Sequence, residues 1–301
     1  MLRRTLIHGL AVLPFAAPAV AEPQPRLLSL GNASVGLLIE PKAEPAFEDL
    51  LIAWIEKSAR AVMIYYGRFP VDRVAIVLTP FDGSGVRGGR TFPGEIPTIR
   101  IRVGRDTHPD RLLQSDWVMV HEMIHLAFPW LERKHNWMAE GLAVYVESVA
   151  RVQAGQIPSR RIWADFMRDM PKGLPRAGAG GLDEDRSWGR TYWGGALFCL
   201  LADIDYREKT HNRRGLQTAL RAINAERDFR QGWPLEETLA IGDAAVGAPV
   251  LIPLYENMRA RAVTTDLATL WHSLGVNERD GSVSFNESAP LAAIRSGITQ
   301  A

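Results

Sequence analysis

The sequence predicts an α+β protein, with a mixed α/β half up to about residue 134 and a mostly helical half after it. Three observations predict this. Before residue 134, short alternating or β-branched runs surround one long helical repeat. Beyond it, apolar residues recur mainly at three- and four-residue steps. The third is size: 301 residues, 47% of them hydrophobic, are enough for one large domain or two subdomains with a substantial core.

The elements follow in order. Val35-Gly36-Leu37-Leu38-Ile39-Glu40 reads as a strand. Residues 45–66 form a helix, because Phe47, Leu50, Leu51, Trp54, Ile55, Ala59, Val62 and Met63 share one face. Residues 73–78 are a strand. Residues 82–90 are a glycine-rich loop; no Gly-Lys-Ser/Thr follows, so it is not a phosphate cradle. Residues 98–103 alternate apolar and charged side chains, which predicts a half-exposed strand at a sheet edge. A helix over 112–128 ends at Pro129. Asn136 starts a helix running to about 153, and 159–170 is a short one. The Gly- and Pro-rich stretch 171–188 is a loop. A long helix over 190–209 precedes helices near 212–226, 235–243, 248–260 and 265–273, and 283–285 is a last short strand.

The amino terminus has the form of an export signal. Arg3 and Arg4 are a basic start, 6–20 is mostly apolar, and Ala19-Val20-Ala21 is a small-x-small site before Glu22. Pro14 and Pro18 break the apolar run, which argues against a membrane span. The expected organisation is a signal peptide over 1–21, an α/β subdomain over 22–134 and a helical subdomain over 135–301. The mature chain would be periplasmic or secreted. The paired arginines hint at twin-arginine export. No stable membrane insertion is expected.

Charge excludes another class. With 35 basic and 34 acidic residues, nothing in the balance favours nucleic acid. The single cysteine, Cys199, lies in an apolar run, so it makes no internal disulfide and reads as a core residue.

The chemistry sits in His121-Glu122-Met123-Ile124-His125. On a helix, residues four apart lie one turn apart on the same face, so both imidazoles can hold one Zn²⁺. Glu122 can then reach a reacting water without being a ligand. The flanks 117–120 and 126–128 are apolar, and three polar side chains buried there are costly without a partner. A metal supplies one. A catalytic zinc needs a third protein ligand and an open position. Glu140, between Trp137 and Leu142 on the next helix, is favoured over Glu132 and His135; His135 reads as part of a surface turn. Glu147, seven residues past Glu140 on nearly the same face, could bond the free ring nitrogen of His121 or His125.

These residues resemble the gluzincin zinc metallopeptidases. The stretch Trp137-Met138-Ala139-Glu140-Gly141-Leu142-Ala143-Val144-Tyr145-Val146-Glu147 is similar to the "NEGFA…YVE" segment of the aminopeptidase N group and the "SEGF" segment of the glycyl aminopeptidase group. Thr191-Tyr192-Trp193-Gly194-Gly195 resembles the "Y-x-K-G-A/F" segment that opens a helix in those families. The resemblance covers roughly residues 95–210. It implies a zincin-like fold, with an edge strand beside the active-site helix, and one zinc on His121, His125 and Glu140. It also implies Glu122 as general base and Tyr192 as a donor to the tetrahedral intermediate. From chemistry alone, a Tyr before two glycines at a helix start can project into a cleft and donate to an oxyanion.

Three departures stand out. The connection from His125 to Glu140 is shorter than in aminopeptidase N relatives, Gly194 replaces the usual Lys, and no "GAMEN" segment is present. The expected activity is therefore hydrolysis of peptide or protein substrates, with aminopeptidase and endopeptidase both open. The peptide would add to the 98–103 strand, and 82–90 and 171–189 would wall the cleft. The competing readings are a zincin-fold binding protein without turnover and a metallohydrolase of a non-peptide bond. Oligomeric state is left open.

Overall fold

The structure is a computed structural model that describes residues 24–226 and 228–300. The export signal read over 1–21 lies outside the described residues. Among those described, no helix is long and apolar enough to cross a membrane.

Strands β1 (Arg26–Leu30), β2 (Ala33–Ile39), β3 (Arg73–Phe81), β4 (Val86–Phe92) and β5 (Thr98–Gly104) form one mixed sheet, in the order β1-β2-β3-β5-β4. β2, β3 and β5 run parallel, and β1 and β4 are antiparallel edges. Helix α1 (Pro45–Tyr66) packs under the sheet through Leu51, Ile55 and Val62, spaced four and seven apart. Pro45 suits its first turn, and Gly67, at φ 80°, ends it in the left-handed conformation that favours glycine.

The edge strand is not the one the alternation predicted. Residues 98–103 alternate as expected, with Ile99, Ile101 and Val103 buried and Arg100 and Arg102 exposed, but β4 pairs along their outer side. β4 comes from the glycine-rich stretch read as a loop. Its register shifts between Val86 and Gly89, and Gly88, at φ 69°, sits in that bulge. One extra residue is accommodated there without ending the strand.

The helix predicted over 112–128 is broken in two. A π-type turn (Arg111–Ser115) stops at Asp116, and α2 (Val118–Ile124) continues as a 3₁₀ turn (His125–Ala127). Asp116 makes the break. Its backbone is extended, and its carboxylate accepts from Trp54 Nε1 at 3.0 Å and Met119 N at 3.4 Å. That caps α2 while tying it to α1.

The second half is helical, as expected: α3 (Asn136–Gln153), α4 (Ser159–Asp169), α5 (Gly195–Lys209), α6 (Leu216–Glu226), α7 (Leu235–Val246), α8 (Leu251–Met258), α9 (Leu267–Leu274) and α10 (Ala292–Thr299). A hairpin of β6 (Val276–Arg279) and β7 (Ser282–Phe285) precedes α10. One hydrophobic cluster runs from the sheet through α3 and α5 to α10. α3 and α5 meet backbone to backbone. A Cβ on Gly141 would lie 2.2 Å from Gly195 Cα, and one on Gly195 only 2.1 Å from the Trp137 carbonyl. Neither glycine tolerates a side chain without the helices moving apart.

Candidate metal centre

α2 carries His121 and Glu122, and His125 begins the turn that follows. The two imidazoles stand one turn apart, with ring centroids 4.9 Å apart and planes at 84°. α3 brings Glu140 against both: its Oε2 is 3.3 Å from His121 Nε2 and 3.6 Å from His125 Nε2. Among the described residues these three form a group whose ligand atoms all lie within 4.8 Å of one another.

The donor set fits zinc. Two nitrogens and one carboxylate oxygen at bond lengths of 2.0–2.1 Å in a tetrahedron should lie about 3.3 Å apart. Glu140 meets both histidines near that spacing. Burial lowers the pKa of His121, which favours the neutral ring a metal requires, although the bond to Glu140 opposes the shift. Burial would raise the Glu140 carboxyl. The bonds to His121 and His125 outweigh it and hold the group well below the usual carboxylate range. At His125, burial is likewise outweighed by Glu140, and its pKa is raised.

Glu132 and His135, over which Glu140 is favoured, lie elsewhere. Glu132 pairs with Lys134 at 3.1 Å on the surface. His135 is not in a surface turn as predicted but is 2% exposed, with Nδ1 3.0 Å from Asp183 Oδ1. Asp183 also accepts from Trp137 Nε1 at 2.8 Å and from the Tyr255 hydroxyl at 3.0 Å. His135 therefore anchors the start of α3 to the 171–189 loop.

Glu122 is buried and clamped by β4. Thr91 Oγ1 lies 2.7 Å from Glu122 Oε2 and 2.8 Å from its backbone carbonyl. A Cβ on Gly89 would come within 2.6 Å of Glu122 Cγ. The bulged strand thus fixes this carboxylate beside the histidines through a glycine and a hydroxyl. Neither residue was singled out from sequence, and no local pattern marks them.

Tyr192 also reaches the site. It sits in a π-type turn (Arg190–Gly194) that leads into α5, half-buried, its ring stacked between those of His121 at 6.5 Å and Trp188 at 5.6 Å. Arg190 Nη1 donates to the Gly173 carbonyl at 2.8 Å and pins the turn. Burial, followed by the Glu140 and Glu122 charges, pushes the phenol up to about 12, so its hydroxyl keeps its proton at neutral pH.

Glu147 does not bond a histidine. Its oxygens accept from Ser148 Oγ at 3.1 Å and Arg151 Nη1 at 3.3 Å, while His121 Nδ1 has no protein partner among the described residues. Seven residues along a helix is about 10 Å, so sharing a face does not bring Glu147 to the metal ligands. It supports Arg151, whose Nη2 approaches the Gln114 and Ser115 carbonyls at 3.4 Å, just before α2.

Burial pushes the Glu147 carboxyl from 4.5 up to about 7, against Arg151 and Ser148. The folded state therefore holds a proton that the unfolded chain has released. The stability this gives is complete below about pH 4.5 and is lost as pH rises through about 7. Glu147→Gln should flatten that fall. Melting curves across this window should show the variant gaining on the wild type as pH rises, by roughly 3 kcal/mol in total. A gap that stays constant with pH would contradict the assignment.

Glu122, Glu140, His121, His125 and Tyr192 line one cleft of about 410 Å³. The β4 residues Val86 and Gly88 to Thr91 form one wall, and Trp117, Phe128, Trp130 and Phe229 add apolar surface.

Compared by sequence, the chain matches no family model and no curated protein. Solved structures share its fold. An aminopeptidase N family protein from Idiomarina loihiensis superposes with a TM-score of 0.57 at 14% identity, over 84% of this chain and 49% of that one. An M1 zinc metallopeptidase from Deinococcus radiodurans gives 0.51 at 16% identity, over 80% and 52%. The mixed five-stranded sheet followed by helices is thus the architecture of M1 peptidase domains. The chain spans about half the length of these neighbours.

Proposed function

We propose that this chain is a zinc-dependent peptidase. The observation that carries the reading is a buried Glu122, fixed by Thr91, next to a His121–His125–Glu140 group with the spacing of a zinc site. Its structural neighbours include a zinc metallopeptidase, which agrees with this reading. Zinc, when bound, supplies a Lewis acid that polarises the scissile carbonyl and makes water a better nucleophile. His121, His125 and Glu140 would hold it. Glu122 takes the proton from the attacking water and delivers it to the leaving amine. Thr91 keeps the carboxylate oriented for both transfers. Tyr192, protonated at neutral pH, donates to the oxyanion. An extended substrate adds to the free edge of β4, the strand that carries Gly89 and Thr91 past Glu122. A digest of a mixed peptide library, read by mass spectrometry, tests the reading and separates its two modes. Loss of single amino-terminal residues means an aminopeptidase and internal cuts an endopeptidase; no cleavage of any peptide contradicts the reading.

Tyr192→Phe tests the oxyanion role. Zinc content and melting temperature should be unchanged, and kcat should fall about a hundredfold with little change in KM. The lost bond exists only in the transition state. Steady-state kinetics on a library-selected peptide measures this. An unchanged kcat would make Tyr192 a packing residue between His121 and Trp188.

A further inference from the structure

The outer face of the β4 edge carries four arginines that have no carboxylate partner among the described residues. Arg87 and Arg102 lie over the Phe81 ring at 4.3 and 5.7 Å, and Arg90 and Arg100 lie over the Phe92 ring at 5.3 and 5.7 Å. In a regular strand, residues three apart point to opposite faces. The bulge between Val86 and Gly89 resets the alternation, so Arg87 and Arg90 share a face. Arg100 and Arg102 join them by ordinary alternation, and Arg90 stands directly opposite Arg100.

Like charges directly opposite one another destabilise a sheet, so the cluster does not serve the fold. Nor does it reflect composition, since the whole chain is nearly neutral. Each guanidinium rests against a ring and makes no hydrogen bond among the described residues. Its N–H groups are therefore available to an oxyanion in a partly preorganised arrangement.

We propose that this face docks a carboxylate-rich segment of the polypeptide substrate, outside the segment that enters the cleft. This rests on the peptidase reading above. The observation behind it is that β4 serves both surfaces: Gly89 and Thr91 meet Glu122 on one side, and Arg87 and Arg90 lie on the other. A substrate chain leaving the cleft at this edge meets the arginines next. Guanidinium forks pair with carboxylates through two parallel bonds. From Arg87 to Arg90 is about 10 Å of strand, so a few consecutive acidic residues match its length. A lipid surface fits less well, because Phe81 lies beneath the Arg87 guanidinium at 4.3 Å, and Phe92, though exposed, offers a single ring to insert.

The test uses the zinc-loaded full chain and a labelled poly-Glu peptide, with poly-Ser as control and fluorescence anisotropy at low salt as the readout. Poly-Glu should bind and poly-Ser should not. Binding should weaken roughly tenfold or more in Arg100→Gln/Arg102→Gln, and should fall as salt is raised. Metal content and melting temperature are checked in parallel. If the variant does not fold, the salt series and the poly-Ser comparison on the wild type still decide. Equal binding by variant and wild type, no poly-Glu binding, or a preference for vesicles of anionic phospholipid over poly-Glu would overturn the proposal. In kinetics, a Glu-tailed library peptide should have a lower KM than its Ser-tailed twin in the wild type only. Binding is read without turnover, so the two ideas fail separately. Loss of poly-Glu selectivity sinks the docking surface, and absence of all cleavage sinks the peptidase.

Discussion

Glu122→Gln is expected to abolish turnover while leaving zinc bound. The amide is nearly the size of the carboxylate, and Glu122 is not among the three groups that converge on the metal position. It keeps a carbonyl oxygen to accept the Thr91 hydroxyl, so β4 and α2 should stay in register. What it loses is the capacity to take a proton. General-base loss costs roughly a hundred- to ten-thousandfold in rate, about 3–5 kcal/mol of transition-state stabilisation. The measurement is kcat/KM with metal content determined on the same sample. Near-full turnover with zinc retained would remove Glu122 from the mechanism.

Glu140→Ala is expected to lose both metal and activity. Glu140 is where α3 meets both histidines, its carboxylate 3.3 Å from His121 Nε2 and 3.6 Å from His125 Nε2. Losing the partner that merely supports a ligand lowers metal affinity roughly 10- to 100-fold, and losing a ligand should cost more. Glu132→Ala should keep wild-type zinc after dialysis against a weak chelator, because its carboxylate is on the surface with Lys134. His135→Ala should keep its metal too, but melt lower, since the half-buried Asp183 loses a partner. Equal zinc in Glu140→Ala and wild type would take Glu140 out of the metal's ligand set.

What could be read from the sequence depended on how local the cause was. The two histidines and Glu140 were legible because helical spacing and buried polarity are local facts, and the structure brings these three side chains together. The edge strand was not. Gly88 and Gly89 weaken a strand signal, and the bulge breaks the alternation between Arg87 and Arg90, so β4 looked like a loop. Those features have a structural use, since only a residue without a side chain at 89 lets the strand lie against Glu122. The break at Asp116 was hidden because its partner Trp54 is 62 residues away. His135 looked like a surface residue for the same reason: Asp183 is 48 residues on. Glu147 shows the limit of arguing from a helical face, which fixes a direction and not a distance. The weakly patterned β6 and α10 gave no periodic signal long enough to recognise.

In the proposed mechanism, zinc held by His121, His125 and Glu140 makes this chain a peptidase. The most direct test follows metal content and library cleavage on one preparation, as purified, after dialysis against a chelator, and after return of a single equivalent of zinc. About one zinc per chain is expected, with loss of cleavage on loss of metal and recovery of the same cleavage sites when zinc is restored. Cleavage that persists in metal-free protein, or zinc that returns to the site without restoring any cleavage, would contradict it.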